Sequence, residues 1–267
     1  MSSAFGVTSW RRSSVRDVAR IYAPSRTSPP ARPTRYTRAD IDGLPAPVIR
    51  YFEFALTADQ PLVERAHIEW AGDFSMRRGR WSAFTAAQDY AVRPPGFVWD
   101  ASIAVMPLVN VRVRDAYIGG VGSLLARVGG VLRVVNKRGT PEMAEGELMR
   151  YLGEAVWYPT ALLPSAGVSW RAIDDITATA TLTDGATTVS LDLHFGSRGE
   201  IVRMSAIRPR DVSGSPVPTP WAAHVSDYAR QDGMMVPAAG EAEWVLPSGA
   251  LPYWRGRPTS IHYAFAP

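Results

Sequence analysis

The sequence predicts a mainly β protein of the α+β class: a strongly curved antiparallel sheet, or incomplete β-barrel, with two principal helices. Apolar and polar residues alternate through much of segments 64–118 and 175–208, as in strands with one buried face. Glycine and proline residues break these segments into short runs. Two other stretches have helical periodicity, and they account for the α part of the prediction.

The two predicted helices precede and interrupt the sheet. Residues 44–56 (LPAPVIRYFEFAL) place apolar residues such as Val48 and Phe52 at a spacing of three to four. Residues 141–158 (PEMAEGELMRYLGEAVWY) give the clearest helical pattern, which Pro159 ends. We expect both helices to pack on the sheet through their apolar faces.

The predicted strands number eight to ten and form an antiparallel meander. The pair Asp184-Gly185 between two alternating runs is a strong hairpin signal. The glycine-rich segment 119–132 lacks a phosphate-binding glycine pattern, and we expect it to be a loop or lid. The proline-rich segment 211–220 is also expected to be a loop.

The net charge of +4 is unevenly distributed along the 267 residues. Residues 1–38 contain eight arginines and one acid, so this segment carries +7 and the rest of the chain −3. We expect residues 1–38 to be a basic, disordered tail and residues 39–267 to be a single curved-sheet domain. Because the body is not basic, no nucleic-acid partner is predicted.

The sequence also limits compartment and cofactors. The tail lacks the apolar stretch of a secretory signal and no run is long enough to span a bilayer, so we expect a cytoplasmic protein without a membrane span. The absence of cysteine excludes disulfides and thiolate metal sites, and the four histidines form no ligand pattern. No metal or cofactor is therefore predicted, and the oligomeric state is left open.

Candidate catalytic residues come from the second helix and from one strand. Glu147, Arg150 and Glu154 share one side of the helix, where two carboxylates and a cation fit acid–base chemistry. An exposed salt-bridge ladder would give the same pattern. Asp115 and Tyr117 form a buried acid beside a phenol if their side of the strand faces the interior, and are solvated if it does not. Both pairs of alternatives stay open at this stage.

Candidate ligand-binding residues are mostly aromatic. Nine tryptophans are spread over the chain, and they suit either a large aromatic core or the lining of an apolar pocket. We select the following residues as candidate ligand contacts: Trp99, Asp100, Tyr151, Trp157 and Trp170.

Several motifs occur in order through the body: GFVWDA, VRDAY, GELMRYLGEAVWYPTALLP, W-x-x-IDD, TPW, SDY, GMMVP and PYWRG. Together they resemble a bacterial family of uncharacterised proteins, a domain of unknown function, over about residues 40–267. That family has no established activity to imply. The strand order and the interrupting helix more weakly resemble the lipoprotein-carrier fold, which implies a half β-barrel that holds acyl chains in an apolar cavity.

Three functional hypotheses follow from the sequence. The first is binding of a hydrophobic small molecule or lipid in an apolar pocket of the curved sheet. The second is an enzyme, such as a cyclase, isomerase or hydrolase, that uses acid–base chemistry on a hydrophobic small molecule. The third is a protein–protein interaction module with the arginine-rich tail as an anchor.

Overall fold

A computed structural model describes residues 2–23, 33–77, 79–107, 109–129 and 132–267. Its strands are, in chain order, β1 (Val63–Arg77), β2 (Arg80–Ala91), β3 (Gly96–Met106), β4 (Val109–Ile118), β5 (Val121–Val128), β6 (Leu132–Arg138), β7 (Val168–Asp174), β8 (Thr177–Asp184), β9 (Thr187–Phe195), β10 (Ile201–Val212), β11 (Ser215–Ser226), β12 (Ala229–Gln231), β13 (Met234–Val236), β14 (Ala239–Leu246) and β15 (Gly249–Phe265). The α-helices are α1 (Ser2–Ile21), α2 (Ala46–Ala55) and α3 (Pro141–Glu154). Short 3-10 turns cover Arg38–Ile41, Ala155–Trp157, Pro159–Leu162 and Pro164–Ala166.

Thirteen strands form one curved antiparallel sheet, which confirms the predicted fold class. The strand order is β6-β5-β4-β3-β2-β1-β15-β14-β11-β10-β9-β8-β7, and β12 and β13 form a separate ribbon. The long strand β15 joins two meanders, because it pairs with β1 on one side and β14 on the other. An ion pair between Lys137 of β6 and Asp211 of β10 brings the first edge strand within side-chain reach of the second meander. The sheet is therefore strongly curved.

Helix α3 lies in the concavity of this sheet. It contacts β3, β4 and β5 on one side and β9 and β10 on the other. Thr140 caps its first turn by accepting a hydrogen bond from the Met143 amide at 3.2 Å, and Pro141 follows at the first helical position. Leu148 and Leu152 are buried against the sheet. The chain then continues as 3-10 turns. Tyr158, which lies between the first two of these turns, and Leu162 are also buried inside the curved sheet.

The structure differs from the sequence-based expectation at the N-terminus. Residues 2–21 form α1, which packs on the outer face of β2, β3 and β4, where a disordered tail was expected. Trp10 is buried and donates a hydrogen bond from Nε1 to Asp100 at 2.7 Å. Ile21 packs against Val98 and Ala116 in a small apolar cluster separate from the main core. The helix forms because its apolar residues recur at helical spacing and meet an apolar strip on the sheet.

Two segments that were predicted as loops belong to strands. Val121–Val128 of the glycine-rich segment form β5, and Gly119 and Gly120 form the turn before it, with φ of 58° and 79°. Such positive angles favour a two-residue hairpin turn of glycines. Gly129 begins the turn after β5, and residues 130 and 131 of the segment lie outside the described residues. The proline-rich segment runs into β11, where prolines occupy alternate positions from Pro216 to Pro220. Strand β14 pairs with β11 only from Trp221 onward, so the prolines lie where one side of β11 is unpaired and no ladder bond is lost there.

None of the helices in the described ranges is long and apolar enough to cross a membrane.

Candidate functional site

Arg150 of α3 is the centre of a polar network on the concave face. Its Nη1 lies 2.7 Å from Oδ2 of Asp115 on β4, and its Nε lies 2.8 Å from Oε1 of Glu154, one helical turn later. The three side chains are only 15–18% exposed. The network therefore lies inside the curved sheet, and the exposed salt-bridge ladder that the helical spacing also allowed is not what forms.

Neighbouring strands complete the network. Gln88 Nε2 and the Tyr90 hydroxyl, both on β2, donate hydrogen bonds to Glu154 Oε2 at 2.7 and 3.0 Å. The Arg150 guanidinium lies over the rings of Phe97 and Trp99, with 4.9 and 5.1 Å from Cζ to the ring centroids. Cation–π contacts of this kind hold the guanidinium plane in a fixed orientation. The contacts tie α3 to β2 and β3 as well as to β4.

Asp115 and Glu147 are two carboxyls that lie close to each other and to Arg150. Asp115 Oδ1 and Glu147 Oε2 are fully buried, and neither accepts a hydrogen bond from another described group. Burial raises the pKa of Glu147 well above its ordinary value of 4.5, and the charge of Asp115 raises it further. Burial also raises the pKa of Asp115, while Arg150 acts in the opposite direction. These shifts favour a protonated Glu147 carboxyl beside the Asp115 carboxylate.

Two of the predicted polar candidates lie outside this network. Tyr117 faces the interior on the same strand as Asp115, but its hydroxyl donates to Asp184 of β8 at 2.8 Å. Burial raises the pKa of Tyr117, and Asp184 adds to that effect. Asp100 lies on the outer face, where it accepts hydrogen bonds from Trp10 and Arg112. It is therefore separated by the sheet from its neighbour Trp99, which faces inward.

The aromatic candidates on α3 and after it are core residues. Trp157 donates from Nε1 to the Pro237 carbonyl at 2.8 Å, and Trp170 donates to the Leu162 carbonyl at 3.0 Å. The Tyr151 hydroxyl is buried near the Val92 carbonyl at 3.5 Å. Together with α3, these side chains pack into the concavity of the sheet. The role of Tyr151, Trp157 and Trp170 as ligand contacts therefore stays a prediction.

The part of the concave face formed by β1, β11, β14 and β15 carries aromatic residues that were not predicted as ligand contacts from the sequence. We define the aromatic floor as Phe74 of β1, Trp221 of β11, Trp244 of β14, and Tyr253 and Trp254 of β15. All but Trp221 are partly exposed. Trp244 stacks on Tyr253 with centroids 5.8 Å apart, and the Tyr253 ring meets Phe74 edge-on at 6.1 Å. The Tyr253 hydroxyl accepts a hydrogen bond from Trp221 Nε1 at 2.9 Å.

A β-bulge and two glycines build this floor. The pairing of β14 with β15 shifts between Ala242 and Glu243, which leaves Tyr253 as the extra residue, so that it and Trp254 both point inward. A Cβ at Gly256 would lie 2.6 Å from the Trp254 indole, and one at Gly240 would lie 3.3 Å from it. Glycine at both positions therefore lets the indole lie flat on the sheet. The sequence signal for this arrangement is a glycine two positions after an aromatic residue within one strand, as in Trp254 and Gly256.

Two arginines on β10 border the floor. Arg208 and Arg210 follow the inward residues Met204 and Ala206 at alternate positions, so they also face inward. Arg208 lies over the Trp221 ring, with 4.8 Å from Cζ to the centroid, and donates from Nη2 to the Gly146 carbonyl at 2.7 Å. Arg210 lies over Trp244 at 5.8 Å. The alternation of side chains along β10 places both arginines on one face of the strand. The sequence alone does not show that this face is the one turned toward the interior.

A separate cavity lies at the opposite rim of the sheet. It has a volume of 1010 Å³ and lies between the ends of β1, β2 and β8 and the 3-10 turns, at the upper end of the size range of ligand sites. Val92, Leu182 and Ala266 contribute to its mostly apolar lining. It borders Ala23 and Pro33, and hence the segment 24–32, which lies outside the described residues. Across the described part of the chain, no group of three acidic or histidine side chains is arranged to hold a metal ion.

Comparisons with known proteins add the family. No curated protein matches the chain. Among solved structures, a LolA superfamily protein from Nitrosomonas europaea is 13% identical, with a TM-score of 0.42 over 83% of this chain and 93% of that one. A beta-barrel-like protein of the domain of unknown function DUF1849 from Brucella abortus is 10% identical, with a TM-score of 0.27 over 76% of this chain and 98% of that one. The model of a family of unknown function, DUF6920, matches residues 42–263, and the chain belongs to that family.

Proposed function

We propose that the protein binds a hydrophobic small molecule or lipid on the aromatic floor. The observation that carries the proposal is the partial exposure of Phe74, Trp244, Tyr253 and Trp254 on the concave face of the sheet. Helix α3 contacts β3, β4, β5, β9 and β10, and α2 contacts β7, β8 and β13, whereas the floor lies mainly on β1, β14 and β15. Partly exposed aromatic surface inside a curved sheet suits an apolar ligand.

Removal of apolar surface from water would drive binding to the floor. About 300 Å² of such surface contributes roughly 7 kcal/mol at about 25 cal/mol per Å². The loss of translational and rotational freedom subtracts about 4 kcal/mol or more from this gain, so apolar contact of this size alone gives binding weaker than micromolar. Flat rings also gain from stacking against indole and phenol faces.

A fluorescent probe tests the proposal. N-phenyl-1-naphthylamine is neutral and apolar, and its emission rises when it leaves water. We expect Trp244→Ala to weaken its binding several-fold because Trp244 stacks on Tyr253 at the centre of the floor. The matched control is Trp81→Ala, because Trp81 is also partly exposed but lies on the outer face beneath Arg255. Absence of probe binding, or equal loss in both variants, would contradict the proposal.

We propose acid–base catalysis on a hydrophobic molecule as a second candidate function. One observation favours it: Asp115, Arg150 and Glu154 converge on the concave face, and Asp115 also forms a carboxyl pair with Glu147, whose pKa is raised by burial and by the Asp115 charge. Such a pair can accept a proton at one carboxyl and donate one from the other. Trp99 and Phe84, with ring centroids 5.8 Å apart, and Phe84 and Trp254, at 6.2 Å, connect the network to the floor.

Proton exchange tests this second candidate. A long-chain ketone such as 2-tridecanone, incubated with the protein in D₂O, should gain deuterium beside its carbonyl faster than in buffer. Glu147→Gln should remove the acceleration, and Glu145→Gln on the same helix should keep it. A rate equal to that in buffer, or an acceleration that survives Glu147→Gln, would count against a catalytic carboxyl pair.

A further inference from the structure

The ligand's polar end can be inferred from the charges that border the aromatic floor, and this inference rests on the proposed function. Arg208 and Arg210 face inward from β10, two residues and hence about 6.6–7 Å apart along the strand. Each guanidinium is held against an indole ring of the floor, Arg208 on Trp221 and Arg210 on Trp244. Both cations are thereby held in place beside the surface on which an apolar molecule would lie.

Neither arginine forms an ion pair within the described residues. Arg150, in contrast, is balanced by two carboxylates, Asp115 and Glu154. Arg208 uses Nη2 for the Gly146 carbonyl, and its Nε–H is buried without a hydrogen-bond partner. A buried donor of a charged group that lacks a partner is costly, and an incoming acceptor would remove that cost.

The acidic side chains near these arginines are already engaged. Asp211, the next residue of β10, forms its ion pair with Lys137 of β6. Glu147 directly follows Gly146, whose carbonyl Arg208 contacts; burial and the charge of Asp115 raise the pKa of Glu147 well above 4.5, whereas Arg150 and Arg208 lower it. Within the described residues, the floor therefore has on one of its sides two arginines that form no ion pair, and the anionic group of a ligand would complement them.

We propose that the ligand is an anionic amphiphile, whose apolar chain lies on the aromatic floor and whose acidic head is bound by Arg208 and Arg210. A guanidinium fork matches a carboxylate or a phosphate, since both present paired oxygens at the right spacing. The head group is therefore a carboxylate or a phosphate monoester on an aliphatic chain.

Three ligands of equal chain length distinguish a carboxylate, a phosphate and a neutral head group: laurate, dodecyl phosphate and methyl laurate. The measurement is how well each ligand displaces N-phenyl-1-naphthylamine at concentrations at which no micelles form. We expect laurate or dodecyl phosphate to bind roughly tenfold more tightly than methyl laurate, since a hydrogen bond to a charged group is stronger than one between neutral groups. The tighter of the two acids identifies the head group.

Substitution of the arginines locates the effect. Arg210→Gln should remove most of the preference for the acids over methyl laurate, measured as the ratio of their dissociation constants, because Arg210 lies over the Trp244 ring at the edge of the floor. Arg208→Gln should do the same, although it also removes the contact with Gly146. Arg203→Gln is the matched control, since Arg203 lies on the same strand but faces outward toward His194.

The outcomes distinguish this inference from the proposed function. If neither the acids nor the ester displaces the probe, the floor is not a ligand site and both proposals fail. If all three bind equally, or if the acid preference survives Arg210→Gln and Arg208→Gln, the floor binds apolar molecules but the anionic head group is wrong.

Discussion

Replacing Glu147 by glutamine isolates the proton that the carboxyl pair holds. Glutamine has nearly the same shape, and its amide N–H₂ can donate to the buried Oδ1 of Asp115, so the contact survives without a titrating group. In the wild type, burial and the charge of Asp115 favour a protonated Glu147 carboxyl. The variant should therefore differ from the wild type mainly in how the free energy of unfolding depends on pH.

The sign and size of the effect follow from linkage. Burial raises the pKa of Glu147 well above 4.5 in the folded state, so the folded protein binds more protons than the unfolded chain above that pH. The stability that Glu147 contributes is complete below its unfolded pKa and is lost as pH rises toward the folded pKa. One full proton corresponds to about 1.4 kcal/mol per pH unit. Above pH 4.5 and below the folded pKa, the wild type should therefore lose up to about 1.4 kcal/mol per pH unit relative to Glu147→Gln.

Urea unfolding at a series of pH values measures this difference. Tryptophan fluorescence reports the transition, and extrapolation to zero denaturant gives the free energy of unfolding at each pH. Glu145→Gln on the same helix controls for a general change in charge. A wild-type curve that runs parallel to that of Glu147→Gln across this range would show that no proton is held between Asp115 and Glu147 in the folded protein.

Three further substitutions test other contacts. Arg150→Met should lower the free energy of unfolding by about 3 kcal/mol, because it leaves Asp115 and Glu154 buried without their cation; a loss below about 1 kcal/mol in urea unfolding would contradict this. Trp10→Ala should cost about 3 kcal/mol through the loss of a buried indole on the outer face, and should speed tryptic cleavage at Arg11 and Arg12. Unchanged cleavage would mean that Trp10 does not hold α1 on the sheet. Tyr117→Phe should cost about 1 kcal/mol, the value of one hydrogen bond, and a thermal melt identical to the wild type would refute a stabilising bond to Asp184.

The strand pattern predicted the fold class because alternation reports burial directly. In β3, Phe97 and Trp99 face the core while Val98 and Asp100 face α1, as the alternating spacing requires. The hairpin at Asp184-Gly185 joins β8 and β9, in agreement with its turn signal. The loops predicted for the glycine-rich and proline-rich segments were wrong because composition was weighed above pairing, and a paired neighbour stabilises a strand of low propensity.

The candidate site was only half visible in the sequence. Helical spacing brought Glu147, Arg150 and Glu154 to one side of α3, but it could not show that this side faces the sheet. That depends on α3 lying inside the concavity, which is a property of the whole topology. The register Trp99↔Asp115 likewise decides that Asp115 faces inward, and register is not readable from one strand.

The N-terminal helix was not predicted because the charge of its segment pointed to disorder. The eight arginines of residues 1–38 led to the prediction of a solvated tail. Trp10, Val18 and Ile21 nevertheless recur at helical spacing. Val18 and Ile21 pack against the outer face of the sheet, and Trp10 is buried and bonded to Asp100. The complementary strip on the outer face, with Val98 and Ala116, becomes recognisable only when neighbouring strands are aligned.

The central position of β15 has a consequence for how the chain folds during synthesis. Val63 of β1 pairs with Phe265, so its partner emerges from the ribosome about two hundred residues later. Until then β1, which carries Trp70 and Phe74, presents an unpaired edge that can associate with other nascent chains. Contacts so distant in sequence also slow folding. The two meanders can form early, but the curved sheet is completed only when the last strand inserts between them.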